Sequence, residues 1–337
     1  NCPVHASVSG KVTKIQNCLV TGNSYVPCIV IQSDDSEAQE FLPVLDPFAC
    51  SKEEALARIK DAGIVGMGGA SFPAHVKLNP PADKVIDYVL VNAAECEPYL
   101  TCDERTMIET PNLLIDGLAI VLKIVNEKAL GIIALEDNKE YVLPILEEEI
   151  KKQNLADKIS VCLVQTKYPQ GSEKFIVKSC VDREIPSGKL PADAGCVICN
   201  VGTVCAISEA FRLGKPLIER ALTISGGGVK NPCNLRVPVG TLISDLTPAY
   251  FEINENVAAV ETSSENNSES ASEGEAKASV NGGDCAAAEV KEPVKVISGG
   301  PMMGFSMAAI NFPVAKGTSG VTFLTNSEAC LTEESQC

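Results

Sequence analysis

Apolar residues recur in two alternating patterns between residues 51 and 164 of this chain, and each pattern predicts one kind of element. Apolar positions at helical spacing predict three helices, over residues 51–61, 111–125 and 142–152. Ser51 is a good N-cap for the first of them, and Gly63 is a typical stop signal. Continuous apolar runs predict three buried strands, over residues 86–91, 131–135 and 159–164. Helices that alternate with short apolar strands indicate an α/β fold with a layered parallel sheet.

The two ends of the chain alternate with the period of a strand instead. Residues 3–33 predict a small β module, with a hairpin that bends at Ser9 and Gly10 and a further strand over 28–31. The alternation after residue 215 predicts an antiparallel, ubiquitin-sized β domain. The sequence therefore predicts four segments: a β module over 1–48, an α/β domain over 49–215, a β domain over 216–325 and a terminal segment over 326–337.

Residues 255–292 interrupt the predicted β domain with a different composition. This stretch is rich in Ser, Glu, Asn and Ala, and it has nine acidic against two basic residues. Too little apolar surface is available there for a folded core. We expect a disordered acidic insertion, which is either a solvated loop or a segment that binds a partner.

Charge and apolarity exclude two classes of function. The 337 residues include 28 Lys and Arg against 44 Asp and Glu, which gives a net charge of -16. Nucleic-acid surfaces need clustered cations, so we expect no nucleic-acid partner. The most apolar stretch, residues 113–125, is interrupted by polar residues and falls short of the ~18 apolar residues of a membrane span. The chain begins at Asn1 without a signal-peptide pattern, and we interpret it as a fragment cut at both ends.

The cysteines and histidines offer little catalytic or metal chemistry. Fifteen cysteines are scattered through predicted core, which indicates reduced thiols in a cytoplasm rather than a disulfide scaffold. Cys196 and Cys199 have C-x-x-C spacing, but in a strand-like run residues three apart point to opposite faces. We therefore expect them in the core and not on one metal. His5 and His75 are the two histidines, too few for a Ser-His-Asp triad or a histidine-rich zinc site.

A glycine-dense loop follows the first predicted helix. It contains Gly66, Gly68 and Gly69, and Lys77 comes shortly after them. Glycines let backbone N–H groups approach a phosphate closely, and a nearby lysine supplies a countercharge. The loop follows a helix and lacks Gly-Lys-Ser/Thr, so it is neither a Rossmann fingerprint nor a P-loop. By itself it is consistent with a phosphate site or with an ordinary tight turn.

Two further motifs follow predicted strands. Asn92, Glu95 and Glu97 come after the strand over 86–91, and the run YPQGSEK over 168–174 comes after the strand over 159–164. Open α/β sheets bind ligands at the carboxyl ends of their strands. An amide and two carboxylates there suit a polar ring or a sugar, although a capped loop with solvated acids is the alternative. We expect the glycine loop and both motifs to converge at one edge of the sheet.

Seven motifs along the chain belong together: GMGGASFP (66–73) with Lys77, NAAECEPYL (92–100) with Asp103 and Arg105, YPQG (168–171), PSGKLPAD (186–193), NVGT (200–203), NPCN (231–234) and GGPMMG (299–304). They closely resemble those of the C subunits of Rnf electron-transport complexes, a family that is itself similar to the flavin-bearing, NADH-binding subunit of respiratory complex I. The likeness covers nearly the whole chain. It implies part of a barrel-sandwich β module, then an FMN- and NADH-binding α/β domain, then a soluble-ligand-binding β-grasp domain.

The resemblance also implies roles for individual residues. The FMN phosphate would be held by Gly66, Gly68, Gly69 and Lys77. The flavin would be lined by Asn92, Glu95, Gly171, Asn200 and Thr203. The nicotinamide nucleotide would face Phe72 and Glu97, with Lys189 as a further candidate. No catalytic side chain is expected, because a flavin carries the chemistry itself.

As a function, the resemblance implies an NADH-dependent flavin oxidoreductase that exchanges hydride between NAD(H) and FMN and single electrons with [4Fe–4S] clusters. Its partners would be the other subunits of a membrane complex and ferredoxin-type electron carriers, at the cytoplasmic face of the membrane. The family continues into a ferredoxin-like segment, of which Cys337 looks like the first cluster ligand. Ser172 stands where the family commonly has glycine, and the insertion over 255–292 is unusual for it.

Two other functions stay open. A similar electron-transfer protein associated with proline reductase shares the flavin motifs and would pass electrons from NADH to a soluble reductase. A non-catalytic scaffold would keep both β modules and lose the flavin, but the intact Gly66, Gly68, Lys77 and Glu97 argue against it.

Overall fold

The computed structural model describes residues 2–36, 38–253, 295–325 and 327–329. It begins with an antiparallel hairpin of β1 (Gly10–Val20) and β2 (Ser24–Ser33), which bends at residues 21–23. The predicted bend at Ser9 and Gly10 is wrong, because Gly10 starts β1 and pairs with Ser33. A Cβ on Gly10 would lie only 2.1 Å from the backbone oxygen of Gln32. This glycine therefore permits a close approach of two strands rather than a turn.

An α/β domain follows the hairpin. Its helices are α1 (Lys52–Asp61), α2 (Ala74–Lys77), α3 (Cys102–Glu109), α4 (Pro111–Val125), α5 (Leu143–Lys152), α6 (Glu173–Val181) and α7 (Val201–Arg212). Its strands are β3 (Tyr88–Ala93), β4 (Leu130–Glu136), β5 (Ile159–Val164) and β6 (Cys196–Asn200). They are parallel, in the order β5-β4-β3-β6. The predicted layered α/β fold is confirmed.

The helix signals in the sequence have direct counterparts in the structure. The Ser51 side chain accepts from the N–H of Glu54, while the Glu54 carboxylate accepts from the N–H of Ser51. This capping box starts α1 where predicted. The predicted helix over 142–152 begins at Leu143, with proline in its first turn, and a 3₁₀ helix over Asp137–Val142 precedes it.

Both faces of the parallel sheet are buried. Val89 and Val91 of β3 belong to a core that includes α4 and α7, and Leu90 belongs to a second core that includes Ile176 of α6. Successive residues of a strand point to opposite faces, so covering helices leave no apolar position of β3 exposed. Ligand-binding side chains can therefore reach open space only at the edges of this sheet.

Helices α4 and α7 pack closely at Gly117. A Cβ there would lie 2.1 Å from the backbone oxygen of Val204 and 2.9 Å from its Cγ1. Such separations are far shorter than ordinary van der Waals contacts. The missing side chain of Gly117 is therefore what permits the two helices to cross at this distance.

Gly117→Ala is expected to destabilise the α/β domain, although alanine is the better helix former by about 1 kcal/mol. The added methyl group must displace the backbone of Val204, and such overpacking costs about 1–3 kcal/mol. Circular dichroism during heating would report a Tm that falls by several degrees. Asn112→Ala, at an exposed position of the same helix, is the control and should leave the Tm nearly unchanged. Equal Tm values for the two variants would contradict the close crossing.

A second sheet forms the remaining described part of the chain. Its elements are β7 (Glu219–Ser225), β8 (Cys233–Pro238), α8 (Ile243–Leu246), β9 (Lys295–Ser298), β10 (Phe305–Met307) and β11 (Gly320–Leu324), with strand order β10-β9-β11-β7-β8. The sequence predicts an antiparallel pattern here, but the sheet is mixed because β11 pairs with β7 in parallel. These two strands come from the beginning and the end of the segment. Alternation of apolar and polar residues within each strand does not show that such distant strands pair. The predicted insertion over 255–292 lies outside the described residues.

The second sheet has a core of its own. Phe251 and Phe323 pack there with their ring centroids 5.7 Å apart, together with Leu222 and Ile224 of β7. The domain contacts the segment after β3, where the Ser225 hydroxyl donates to the backbone oxygen of Tyr99 at 2.7 Å. In the described part of the chain, no helix combines the length and apolarity of a membrane span.

Candidate functional site

Three of the predicted motifs meet at the carboxyl edge of the parallel sheet. The Asn92 Nδ2 donates to the backbone oxygen of Gly171 at 2.7 Å, which joins the end of β3 to the segment before α6. The Gly171 N–H donates in turn to Cys96 Sγ at 3.3 Å. The Met67 N–H donates to Thr203 Oγ1 at 2.9 Å and so ties the glycine loop to α7. The predicted convergence at one edge is confirmed.

The glycine loop, residues 66–69, lies over the junction of β6 and α7. A Cβ on Gly68 would lie 3.5 Å from the Cβ of Asn200. Gly69 has a φ of +114°, and no atom lies within 4 Å of where its Cβ would be. The backbone N–H groups of Gly68 and Gly69 are therefore accessible beside the first turn of α7. The N–H of Gly66 donates to the backbone oxygen of Phe72 at 2.8 Å. Phe72, 49% exposed, follows the loop.

Lys77 brings a positive charge to the same junction. Its Nζ donates to the backbone oxygen of Ile198 on β6 at 3.0 Å and to Glu173 Oε1 at 2.8 Å. The Lys77 side chain is about one third exposed, so a ligand can reach the ammonium group. Nothing local in the sequence pairs Lys77 with Glu173, because the two residues are 96 positions apart.

A buried ion pair lies beside this junction. Lys139 Nζ is 2.9 Å from Glu95 Oε2, and the two side chains are only 7% and 5% exposed. The Glu95 carboxylate also accepts from the N–H groups of Asp103 and Glu104 in the first turn of α3. Glu95 is thus fixed from two sides. Lys139 was not predicted as a site residue, although its position just after β4 puts it at the same strand edge as the other motifs.

Asp103 lies next to Asn200 and is partly buried. The Asn200 Nδ2 donates to Asp103 Oδ2 at 2.6 Å, while the Asn200 Oδ1 accepts from the N–H of Gly202 at 2.9 Å. Both ends of the Asn200 side chain are therefore occupied. Burial, reinforced by the negative charge of Glu95, raises the pKa of Asp103 to about 6, against the opposing effect of Arg220.

The titration of Asp103 predicts a pH dependence of stability. Because its pKa is raised from 3.8 to about 6 on folding, the folded chain holds this proton more tightly than the unfolded chain does. The resulting stabilisation is complete below the unfolded pKa and is lost as the pH rises through about 6. Asp103→Asn removes the titration and keeps an oxygen that accepts from Asn200.

We therefore expect the Tm of Asp103→Asn, taken relative to wild type, to be several degrees higher at about pH 7 than at about pH 4. Other titrating groups are common to both chains and cancel in this difference. Thermal unfolding of both chains across this range of pH is the measurement. A Tm difference that stays constant would show that Asp103 titrates alike in the folded and unfolded chains.

Glu97 links the site to the second sheet. Its Oε2 accepts from the N–H of Met302 at 3.0 Å. Its Oε1 is buried and accepts no hydrogen bond from the described residues. A Cβ on Gly300 would lie 2.3 Å from Glu97 Oε2, so a side chain at this position would displace the Glu97 carboxylate. The Glu97 Oε1 is thus an acceptor available to a ligand, close to the half-exposed Tyr168.

The structure does not bring Lys189 together with the other predicted site residues. Lys189 lies exposed on a turn that its own N–H closes onto the oxygen of Pro186. A 3₁₀ helix over Pro191–Ala194 follows, and its Asp193 pairs with Lys84 ahead of β3, at the amino edge of the sheet. Cys337 lies outside the described residues, so its role as a cluster ligand stays a prediction.

The C-x-x-C cysteines lie where the strand pattern predicts. Cys196 and Cys199 are buried in β6 and belong to cores on opposite faces of the sheet. Burial raises the pKa of both thiols to about 11, which keeps them protonated and unreactive at neutral pH. Within residues 2–36, 38–253, 295–325 and 327–329, no cluster of three or more His, Cys, Asp or Glu forms a metal site.

The groups at the carboxyl edge fit a phosphorylated cofactor with a polar ring. Accessible glycine N–H groups, the first turn of α7 and Lys77 suit a phosphate. The amide of Asn92 and the carboxylates of Glu95 and Glu97 suit ring nitrogens and hydroxyl groups. The open space at Gly69 is where a cofactor would approach the backbone.

Sequence profiles of two families match this chain. The profile described as the Nuo51 FMN-binding domain matches residues 59–209, which contain most of the site. The profile described as the RnfC barrel sandwich hybrid domain matches residues 1–36, which contain the hairpin of β1 and β2.

Curated relatives resemble the chain over nearly all of its length. The C subunit of the proton-translocating ferredoxin:NAD(+) oxidoreductase complex of Clostridium ljungdahlii is 41% identical over 99% of this chain and 65% of its own length. The C subunit of the Na(+)-translocating ferredoxin:NAD(+) oxidoreductase complex of Acetobacterium woodii is 37% identical over 99% of this chain and 67% of its own length. The chain thus spans about two thirds of the length of these relatives.

A solved structure shares the fold. The crystal structure of an NAD+-reducing [NiFe]-hydrogenase in the H2-reduced state aligns with a TM-score of 0.58 and 20% identity. The alignment covers 82% of this chain and 47% of the hydrogenase chain. At this identity the likeness concerns the fold alone.

Proposed function

The chain belongs to the family of Rnf complex C subunits, and from this membership we propose that it is the FMN- and NADH-binding part of such a protein. The observation that carries the proposal is the convergence of the glycine loop, Lys77, Asn92 and Glu97 at one edge of the sheet. The match to an FMN-binding domain over residues 59–209 supports it.

The phosphate of FMN would be held at the junction of β6 and α7. Gly68 and Gly69 would offer backbone N–H groups, and Lys77 would offer its ammonium group. The Gly66 N–H donates to the backbone oxygen of Phe72 at 2.8 Å, so Gly66 would shape the loop rather than donate to the phosphate. The first turn of α7 adds the partial positive charge of a helix N-terminus. Glu173 holds Lys77 in place from the start of α6.

The ring of the flavin would lie against Asn92, Glu95, Gly171, Asn200 and Thr203. Bound FMN supplies the hydride and one-electron chemistry, so the protein needs no acid or base of its own for the transfer. The chain's task is to fix the polar groups around the ring. Lys139 and the first turn of α3 hold the Glu95 carboxylate, and Asp103 and Gly202 hold the Asn200 amide.

The nicotinamide nucleotide would be bound by Phe72 and Glu97. Phe72 offers an exposed aromatic face, and the unpartnered Oε1 of Glu97 offers a hydrogen-bond acceptor. Met302 keeps Glu97 in position from the second sheet. Lys189 contacts none of these residues, and its part in binding the nucleotide stays a prediction.

The hairpin of β1 and β2 would be part of a barrel sandwich, and the second sheet would be a β-grasp domain. The relatives are named as parts of oxidoreductase complexes, which supports other subunits of a membrane complex as partners, at its cytoplasmic face. Electrons would pass from the flavin to [4Fe–4S] clusters and to ferredoxin-type carriers.

The proposal is tested first by a titration of the purified chain with FMN. Quenching of flavin fluorescence should saturate at one FMN per chain. The absence of saturable binding by a folded chain would refute a flavin site at this edge.

Glu97→Ala is expected to raise the KM for NADH about tenfold, the effect of one hydrogen bond to a charged group. FMN binding should remain unchanged, because Glu97 is assigned to the nucleotide and not to the flavin. Rates of ferricyanide reduction at varied NADH, alongside the FMN titration, measure both quantities. Glu184→Ala, an exposed carboxylate far from the site, is the control. Loss of flavin from Glu97→Ala would show that the two pockets are assigned the wrong way round.

A further inference from the structure

Arg220 of β7 is the largest fully buried side chain in the described part of the protein. Its Nε donates to the backbone oxygen of Thr318 at 2.7 Å, and its Nη2 donates to the backbone oxygen of Met67 at 2.9 Å. Met67 belongs to the glycine loop. A residue of the second sheet therefore holds the loop that we assign to the FMN phosphate.

The charge of Arg220 has no contacting counterion among the described residues. Both of its hydrogen-bond acceptors are neutral carbonyl oxygens, and none of the described carboxylates lies within 4 Å of its guanidinium nitrogens. The charge of Arg220 lowers the pKa of Asp103 from a distance. The Asp103 carboxylate accepts its hydrogen bond from Asn200 and not from Arg220. A guanidinium is always charged, and burying a charge without a partner is costly.

The remaining nitrogen of Arg220 faces the first turn of α7. A Cβ on Gly202 would lie 3.0 Å from Nη1 and 3.3 Å from the Oδ1 of Asn200. The start of this 12-residue helix carries a partial positive charge of about half a unit, and its first turn has no acidic residue. A buried cation beside a positive helix end is unfavourable unless an anion shares the site.

We propose that Arg220 is a further residue of the phosphate site, with its charge directed at the phosphate of a flavin nucleotide between the glycine loop and α7. This inference rests on the proposed flavin function and extends it. Arg220 thereby acts in two ways, as a counterion for the phosphate and as a support for the loop through Met67. Because β7 carries Arg220, the second sheet contributes directly to cofactor retention.

The test compares FMN with riboflavin, which has the same ring system and lacks the phosphate. Arg220→Met removes the charge and keeps most of the side-chain volume. We expect its dissociation constant for FMN to rise about ten- to a hundredfold, as for the loss of a charge-assisted hydrogen bond. The dissociation constant for riboflavin should change little. Arg236→Met, on the neighbouring strand β8 with a 45% exposed side chain, is the matched control and should alter neither value.

The outcomes separate a phosphate ligand from a structural support. Equal losses of FMN and riboflavin affinity in Arg220→Met would show that Arg220 only supports the loop, and unchanged affinities would show that it does neither. If Arg220→Met does not fold, Arg220→Lys replaces it: the preference of wild type for FMN over riboflavin should survive, and its loss would overturn the proposal. A folded wild-type chain that binds neither flavin would overturn the flavin site itself, and this inference with it.

Discussion

Lys77→Ala should reduce the affinity of the chain for FMN by about ten- to a hundredfold, the value of a hydrogen bond between charged groups. The Lys77 ammonium lies between the end of β6 and the start of α6, beside the glycine loop. Alanine leaves the loop and α7 in place but removes the side-chain cation assigned to the phosphate. Folding should suffer much less, because the ion pair with Glu173 is about one third exposed on the lysine side.

The measurement is the FMN dissociation constant of Lys77→Ala, with Tm as the check on folding. Lys84→Ala is a closely matched control, since the Lys84 side chain is 35% exposed against 34% for Lys77 and is also paired with a carboxylate. Lys84 lies at the opposite edge of the sheet, so its loss should not alter FMN binding. Equal FMN affinities for the two variants would show that Lys77 does not bind the phosphate.

Lys139→Met is expected to have the largest effect on stability, a loss of about 3–5 kcal/mol. The pair of Lys139 and Glu95 is more than nine-tenths buried on both sides, so methionine leaves the Glu95 carboxylate without its countercharge. A deficit of this size lowers the Tm of a domain of this length by roughly 10 °C. Lys178→Met is the control, because the Lys178 side chain is 52% exposed and its ion pair with Asp182 is exposed to solvent.

A second substitution tests the cause of that loss. Glu95→Gln in the Lys139→Met background removes the buried charge and keeps an oxygen that can accept from the first turn of α3. The double variant should therefore be more stable than Lys139→Met alone. A double variant that is less stable would mean that Lys139 supports the fold by packing and not by charge.

The location of the site was predictable from the sequence because parallel strands share one geometry. Asn92 lies at the end of β3, Glu95 follows that strand and Asn200 ends β6, so knowing that the strands are parallel places these residues at the same edge. The prediction needed only the apolar runs and the residues that end them. The same rule extends to Lys139 after β4, where a single lysine carried no motif to draw attention to it.

Contacts between distant segments were not predictable. Arg220 reaches Met67 across 153 positions, and Met302 reaches Glu97 across 205 positions. Both contacts depend on how the second sheet packs on the first domain, and local periodicity contains no information about that packing. The hairpin error has the same origin, because the sequence shows that Gly10 is a glycine but not that the backbone of Gln32 approaches it.

Anaerobic reduction by NADH tests the central claim most directly. The chain is reconstituted with FMN, excess cofactor is removed, and the visible spectrum is recorded before and after NADH is added. If the carboxyl edge binds both FMN and the nicotinamide nucleotide, NADH should bleach the flavin absorption band. A folded chain whose bound FMN stays oxidised in excess NADH would contradict this account.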